Sequence, residues 1–176
     1  MNYQIEPLQP EDWPQVRSIY AESIKTGIAT FDTKPPNWKD WGSVRLLSCR
    51  FVAREGKKVF GWATLSPAAS TWGYIGVAEV SVHVGKARQK QGIGTALLKA
   101  LFAASENEKY WTLTAEIISK TGRAWHCIKN VVSGKLVIGR SWDIGRGFGT
   151  MWFCLKNVVK KPGVLDCQPE NVNNSD

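Results

Sequence analysis

The chain has 176 residues, of which 43% are hydrophobic, and it carries a formal net charge of +8. This length suits one domain with a proper core and is short for two ordinary domains. No apolar run approaches the ~20 residues that span a bilayer, and the N-terminus lacks a basic segment followed by an apolar one. Composition therefore argues against a membrane-spanning protein, and we expect a soluble, cytoplasmic protein without a membrane partner.

The cysteines and the positive charge do not identify a binding partner. Cys49, Cys127, Cys154 and Cys167 form no Cys-x-x-Cys pair, so we expect free thiols and no metal site. The basic residues are spread through the chain rather than gathered in one block. Nucleic acid, an anionic membrane or acidic small molecules would each suit such a charge, and a ligand with several phosphates would account for part of it.

The first third of the chain predicts a strand, two helices and a hairpin. Residues 3–5 favour a short strand, and a helix begins near Pro10 with acidic residues in its first turn. Its buried stripe would consist of Val16, Ile19, Tyr20 and Ile24. A loop over 28–36 leads to a shorter helix at 37–41, and 50–54 with 59–65 predict a hairpin across a polar turn.

The middle of the chain predicts a strand, a helix and a second strand. In 77–84 valines alternate with Glu79, Ser81 and His83, which indicates a half-buried strand. After it, Ile93 and the leucines up to Leu101 share one helical face, and 111–117 predict the next strand. A unit of this length implies a right-handed crossover between two parallel strands.

The junction Gln89-Lys90-Gln91-Gly92-Ile93-Gly94 is suited to bind phosphate. A glycine-rich turn that leads into a helix leaves backbone N–H groups unpaired at the positive end of the helix dipole. The hexapeptide lacks the Gly-Lys-Ser/Thr ending of a Walker loop and the third glycine of a dinucleotide fingerprint. A simple helix start with flexible glycines is the alternative interpretation at this point.

The same hexapeptide matches Gln/Arg-x-x-Gly-x-Gly/Ala, the pyrophosphate loop of the GNAT superfamily of N-acetyltransferases. Residues 18–20, 28–32, 76–82 and 111–117 are similar to its phosphinothricin and methionine sulfoximine acetyltransferase branch. The resemblance implies an α/β (α+β) GNAT fold, in which helices flank a mixed central sheet. Two parallel strands of that sheet splay apart around acetyl-CoA, the implied cosubstrate.

The resemblance also implies roles for individual residues. Glu79 would be the catalytic base and would contact the substrate, together with Phe31 and Tyr74. The predicted acetyl-CoA contacts are Val82, His83, Val84, Gln89, Lys90, Gln91, Gly92, Ile93, Gly94 and Thr95, mostly through the main chain. Simpler interpretations stay open: Glu79 in a strand-end hydrogen bond, His83 at the surface, Phe31 as a loop anchor and Tyr74 in core or rim packing.

The acceptor stays open because Thr71 stands where the branch usually has an arginine that could pair with an acceptor carboxylate. We expect a small-molecule amine of the phosphinothricin or methionine sulfoximine type, and a homodimer is common in the family. Aminoglycosides, polyamines or a protein N-terminus are alternative acceptors. A different class of function is a non-catalytic basic module whose tail binds nucleic acid, although a nucleic-acid partner is not our expectation.

The family pattern stops after Ile118. Residues 119–130 have poor periodicity, and 145–149 resemble a flexible or RNA-binding segment more than a strand. When the third base of each codon is read with the first two of the next, allowing synonymous choices, 118–140 and 151–159 respell the expected family motifs in order. We therefore divide the chain into a GNAT core at 1–118 and an atypical segment at 119–176, and hypothesise a shifted reading frame. The strand at 111–117 would then have an open hydrophobic edge. Resequencing the gene tests the frame.

Overall fold

The computed structural model describes residues 2–27, 29–30, 32–68, 76–110, 112–118, 135–143 and 148–156. The helices of these parts are α1 (Trp13–Lys25), α2 (Trp38–Ser43) and α3 (Ile93–Asn107). The strands are β1 (Gln4–Pro7), β2 (Arg50–Glu55), β3 (Lys58–Pro67), β4 (Val77–Val84), β5 (Thr112–Ile118), β6 (Lys135–Asp143) and β7 (Phe148–Lys156). No helix in the described ranges is long and apolar enough to cross a membrane.

The strands form one sheet of seven in the order β1-β2-β3-β4-β5-β7-β6. Neighbours are antiparallel except β4 and β5, which run parallel and are connected through α3. The mixed sheet with flanking helices confirms the predicted fold class. The predicted helices and the hairpin are also present, with ends that differ by a few residues.

Each face of the sheet carries its own core. The apolar stripe of α3, with Leu97 and Leu101 fully buried, packs on one face against Leu65 and Val80. On the other face, α1 and α2 cover Trp62 through Val16 and Trp41, all without solvent exposure. Because successive side chains of a strand point to opposite faces, neighbouring residues of β4 contact different cores.

The C-terminal strands correct one expectation from the sequence. β7 pairs antiparallel with β5 along all of Thr112–Ile118, and β6 pairs with β7, so the edge of β5 that faces away from β4 is covered in the described chain. Phe148 and Gly149, expected in a flexible segment, begin β7. The run from Met151 to Leu155 is apolar and rich in bulky residues, which favours a strand without any family motif. The frame hypothesis itself stays a hypothesis.

Cys49 is a buried free thiol, and burial raises its pKa. Cys127 and Cys167 lie outside the described residues. Within the described ranges, no group of three His, Cys, Asp or Glu side chains is arranged to hold a metal ion.

Candidate active site at the parting of two parallel strands

The parallel strands β4 and β5 pair only at their beginnings. Their contact starts at Val77 opposite Thr112 and ends at Glu79 opposite Thr114. Beyond this point β4 continues to Val84, paired on its other side with β3, while β5 continues beside β7. A gap therefore opens in the middle of the sheet just after Glu79.

Backbone groups of β4 point into this gap. The carbonyl of Val77 accepts a hydrogen bond from the amide of Ala68 at 3.0 Å, so the odd-numbered residues of β4 direct their polar groups toward β3. Successive residues of a strand alternate in this direction. The N–H and C=O groups of Val80, Val82 and Val84 therefore face the gap; that the amides of Val82 and Val84 contact acetyl-CoA stays a prediction.

The turn after β4 ends in an open helix N-terminus. Gly92 has a φ of 79°, a left-handed conformation that glycine adopts without strain, and it offers no side-chain cap. The first intrahelical bond of α3 is the 3.0 Å bond from the Ala96 amide to the Gly92 carbonyl. The amides of Ile93, Gly94 and Thr95 precede it and have no partner in the helix. They form the positive end of α3 beside the end of β4.

The side chains of the turn divide into two groups. Gln89 and Lys90 are exposed, and the Gln89 amide donates to the Val84 carbonyl at 3.4 Å. Gln91 turns back and donates to the Ala87 carbonyl at 3.5 Å, while the Ile93 side chain is buried in the core. Of the predicted loop contacts, Ile93 can thus offer only its main chain.

A cavity of about 410 Å³ lies on the α1 side of the sheet, beside the same part of β4. Its walls come from α1, the segments on either side of α2, and the strands β3 and β4. The lining residues are Tyr20, Ala29, Thr30, Asp32, Val44, Arg45, Ser66, Glu79, Val80, Ser81, Val82 and His83. Glu79 thus stands where the cavity meets the beginning of the gap.

The surroundings of the Glu79 carboxylate disfavour its charged form. The carboxylate is half-buried, and it accepts no hydrogen bond from any residue that the structure describes. Burial raises the pKa of Glu79, and the positive charge of Arg45 partly opposes that rise. The strand-end hydrogen bond, which was the simpler interpretation from the sequence, is absent in the described part of the chain.

His83 is not the surface residue that its position suggested. Only 9% of it is exposed, because its ring stacks on Trp62 at 4.5 Å and meets the edge of Tyr20 at 5.0 Å. Burial, with a further contribution from the Arg45 charge, lowers the pKa of His83 to about 3. Its backbone pairs with Trp62 in β3. His83 is therefore a neutral wall of the cavity, and its N–H does not face the gap.

A hydrogen bond between Tyr20 of α1 and Asp32 of the following loop holds that loop in the cavity wall. The Tyr20 hydroxyl donates a short hydrogen bond to the Asp32 carboxylate. Burial and this bond raise the pKa of Tyr20 to about 12, so the hydroxyl keeps its proton. Phe31 and Tyr74, the other predicted substrate contacts, lie outside the described residues.

Comparison with known proteins identifies the family. Residues 7–130 match the family model described as Acetyltransferase (GNAT) family. The chain belongs to the GNAT family. It is 26% identical over 118 residues to a phosphinothricin N-acetyltransferase of Alcaligenes faecalis, covering 64% of this chain and 60% of that protein. It is 33% identical over 117 residues to an N-acetyltransferase of Streptomyces griseus, covering 60% of each. The matched region thus spans about three fifths of these relatives.

Solved GNAT structures share the fold. yncA of Salmonella typhimurium, solved with acetyl-CoA, superposes with a TM-score of 0.80 at 19% identity, over 94% of this chain and 100% of that one. A phosphinothricin acetyltransferase of Sinorhizobium meliloti, also in complex with acetyl-CoA, gives a TM-score of 0.74 at 20% identity and covers 88% of both chains. At these identities the likeness shows the common fold alone.

Sequence reasoning missed Arg45, the cation in the cavity wall of this GNAT protein. Arg45 follows α2, donates from Nη1 to the Trp41 carbonyl at 2.8 Å, and lies 4.5 Å from the centre of the Trp41 ring. Burial lowers its pKa. No motif marks this arginine, since only the packing of α2 on the sheet brings it to the cavity.

Proposed function

We propose that this GNAT protein transfers the acetyl group of acetyl-CoA to the amine of a small amino-acid-like molecule of the phosphinothricin or methionine sulfoximine type. The observation that carries the proposal is the gap between β4 and β5, where a row of backbone amides runs away from a half-buried carboxylate. A cavity of about 410 Å³ beside Glu79 can take a small acceptor. The name of the Alcaligenes faecalis relative supports the acceptor class.

The chain offers suitable groups along the length of acetyl-CoA. The amides of Val82 and Val84 would bind the thioester carbonyl and the pantetheine arm, because they point into the gap and β5 does not pair with them. The first amides of α3, together with Lys90, would hold the pyrophosphate at the positive helix end. Gln89 brings no charge where the family more often has arginine, so this loop relies mainly on its backbone.

Glu79 would begin the reaction by taking one proton from the ammonium group of the acceptor. The free amine then attacks the thioester carbonyl, a C–N bond forms, and the C–S bond breaks. The thiolate of CoA leaves, and it takes up the second proton that the nitrogen loses. A carboxylate whose pKa is raised by burial is a better base for an ammonium group than an ordinary glutamate.

The test combines acetyl-CoA binding with thiol release. We expect acetyl-CoA to raise the melting temperature, and methionine sulfoximine to trigger release of the CoA thiol. Glu79→Gln should keep the thermal shift and lose about 10²–10⁴-fold in rate, the usual contribution of a positioned base. Glu55→Gln, the same change at an exposed hairpin position, is the matched control. Gly92→Val should lose the thermal shift, because valine does not tolerate a φ of 79°.

Absence of thiol release with every amine tested would contradict the proposal, and so would full activity of Glu79→Gln. A polyamine is the second candidate acceptor, because Asp32 and Glu79 place two carboxylates in the cavity wall. Spermidine therefore belongs in the acceptor panel, where a faster rate than with methionine sulfoximine would favour it.

A further inference from the structure

Arg45 is the only lysine or arginine among the residues that line the described cavity. The wall otherwise carries neutral polar and apolar groups and the carboxylates Asp32 and Glu79. The charge of Arg45 acts on Tyr20, Glu79 and His83, and it contributes to the pKa shift of each. A single cation thus dominates the positive side of the cavity.

The guanidinium of Arg45 keeps donors without protein partners. In the described ranges the one hydrogen bond of its side chain is the bond from Nη1 to the Trp41 carbonyl, and its buried Nε has no acceptor there. Ion pairs in the same ranges are made by Arg54 with Glu6 and Asp12, and not by Arg45. Contact with the Trp41 ring restrains the guanidinium plane, so these donors are held in place rather than free to turn outward.

The base lies on β4, whereas the cation lies in the segment between α2 and β2. The Leu46 amide donates to the Leu65 carbonyl at 2.9 Å, which places the segment of Arg45 beside β3. Glu79 lies opposite Ser66 on the far side of β3. The two backbones are thus two strand spacings apart, about 10 Å. Glu79 and Arg45 both line the cavity, and they form no ion pair with each other in the described ranges, so each charged group is available to a molecule bound there.

We infer that Arg45 binds a carboxylate of the acceptor, while the amine of the same molecule faces Glu79. This inference rests on the proposed acetyl transfer; it names the residue that binds the carboxylate of the amino-acid-like acceptor and excludes the polyamine candidate. Arginine suits this role because its planar donors match the two oxygens of a carboxylate, and the interaction strengthens away from water. Arg45 would bind the carboxylate from the segment after α2, and not from position 71, where the family branch usually has its arginine. It is a specificity-determining residue, and the carboxylate of the acceptor is the ion-pair partner that the described chain does not provide.

Calorimetric binding of L-methionine sulfoximine and of its carboxamide tests the inference without any transfer step. The two ligands have nearly the same size and shape, but the carboxamide replaces one carboxylate oxygen with a neutral NH2 group and so lacks the negative charge. We expect the wild-type protein to bind the acid about 10- to 100-fold more tightly, the usual effect of a charge-assisted hydrogen bond. Arg45→Gln should bind both ligands with similar affinity. Arg17→Gln removes the same charge from an exposed position of α1 and should keep the wild-type ratio.

A second variant guards against loss of folding. Arg45→Lys keeps the charge and much of the stem on Trp41 but loses the planar donors, so its preference for the acid should fall between wild type and Arg45→Gln. Equal ratios in wild type and Arg45→Gln would overturn the inference, and so would tighter binding of spermidine than of the acid. Thiol release from acetyl-CoA is measured separately. A preserved acid preference without thiol release would refute the proposed function alone.

Discussion

Gly61 in β3 is the position where one methyl group should do most damage. A Cβ there would lie 2.8 Å from the carbonyl oxygen of His83 and 3.3 Å from Cα and Cγ2 of Val84. The closest atom is backbone, so β3 and β4 would have to separate by about half an ångström to reach ordinary contact distance. Overpacking of this kind costs about 1–3 kcal/mol, and the less flexible unfolded chain returns about 0.4–1 kcal/mol.

Gly61→Ala should therefore lower the free energy of unfolding by about 1–2 kcal/mol, or the melting temperature by about 2–8 °C for a chain of this size. Because the displaced part of β4 carries the Val84 amide into the gap, the KM for acetyl-CoA should rise as well. Denaturant unfolding and steady-state kinetics measure the two effects.

Gly42→Ala provides the matched control. A Cβ at Gly42, inside α2, would meet only the Arg50 guanidinium, at 3.6 Å or more. This change should stabilise the protein by about 0.5–1 kcal/mol, because alanine loses less entropy than glycine in a helix. A Gly61→Ala variant as stable as wild type, beside a stabilised Gly42→Ala, would refute the argument from close strand approach.

Three further predictions concern the cavity wall. Tyr20→Phe removes the hydrogen bond to Asp32, and should cost about 1–2 kcal/mol in thermal or urea unfolding and raise the KM of the acceptor with little change for acetyl-CoA. The kcat/KM for the acceptor should rise with pH through a pKa above 4.5, the ordinary value for glutamate. The reason is that the carboxylate form of Glu79 accumulates only above its raised pKa. A kcat/KM that stays constant between pH 4.5 and 7 would contradict this assignment. The pKa of His83 falls from 6.5 to about 3 on folding, so the unfolded chain takes up a proton below pH 6.5 that the folded chain does not. Stability should therefore decline as pH falls from 6.5 toward 3, by up to ~1.4 kcal/mol per pH unit, and His83→Phe should remove this decline.

The part of the site that the sequence predicts well is encoded locally. The alternation of β4, the glycines at the start of α3 and the stripe of Leu97 and Leu101 are short-range patterns. Each pattern fixes one backbone conformation. The gap then follows because β4 and β5 are parallel strands joined by a helix, and the family resemblance indicates that they part. The alternation of the strand directs the Val82 and Val84 amides to one side, but the bond from the Ala68 amide to the Val77 carbonyl is needed to show that this side is the gap.

The rest depends on packing between distant segments. Arg45 comes to the cavity because Trp41 is buried against Trp62, a contact between α2 and β3 that no local pattern contains. His83 alternates correctly but is buried, since Tyr20 and Trp62 close over it. β6 and β7 match no family motif, and their strand propensity comes from apolar and β-branched residues.

β4 presents side chains to the cavity and main-chain groups to the gap, so a substitution can alter the first without altering the second. Its odd-numbered side chains, such as Glu79 and Ser81, line the cavity, whereas the gap receives main-chain groups of Val80, Val82 and Val84. Main-chain donors stay in place when a side chain is replaced. Substitutions at Ser81 should therefore change which acceptor binds in the cavity without weakening the binding of acetyl-CoA in the gap. A library at Ser81 should therefore yield proteins with altered acceptors that all remain stabilised by acetyl-CoA, whereas changes that shift the strand itself remove both properties together.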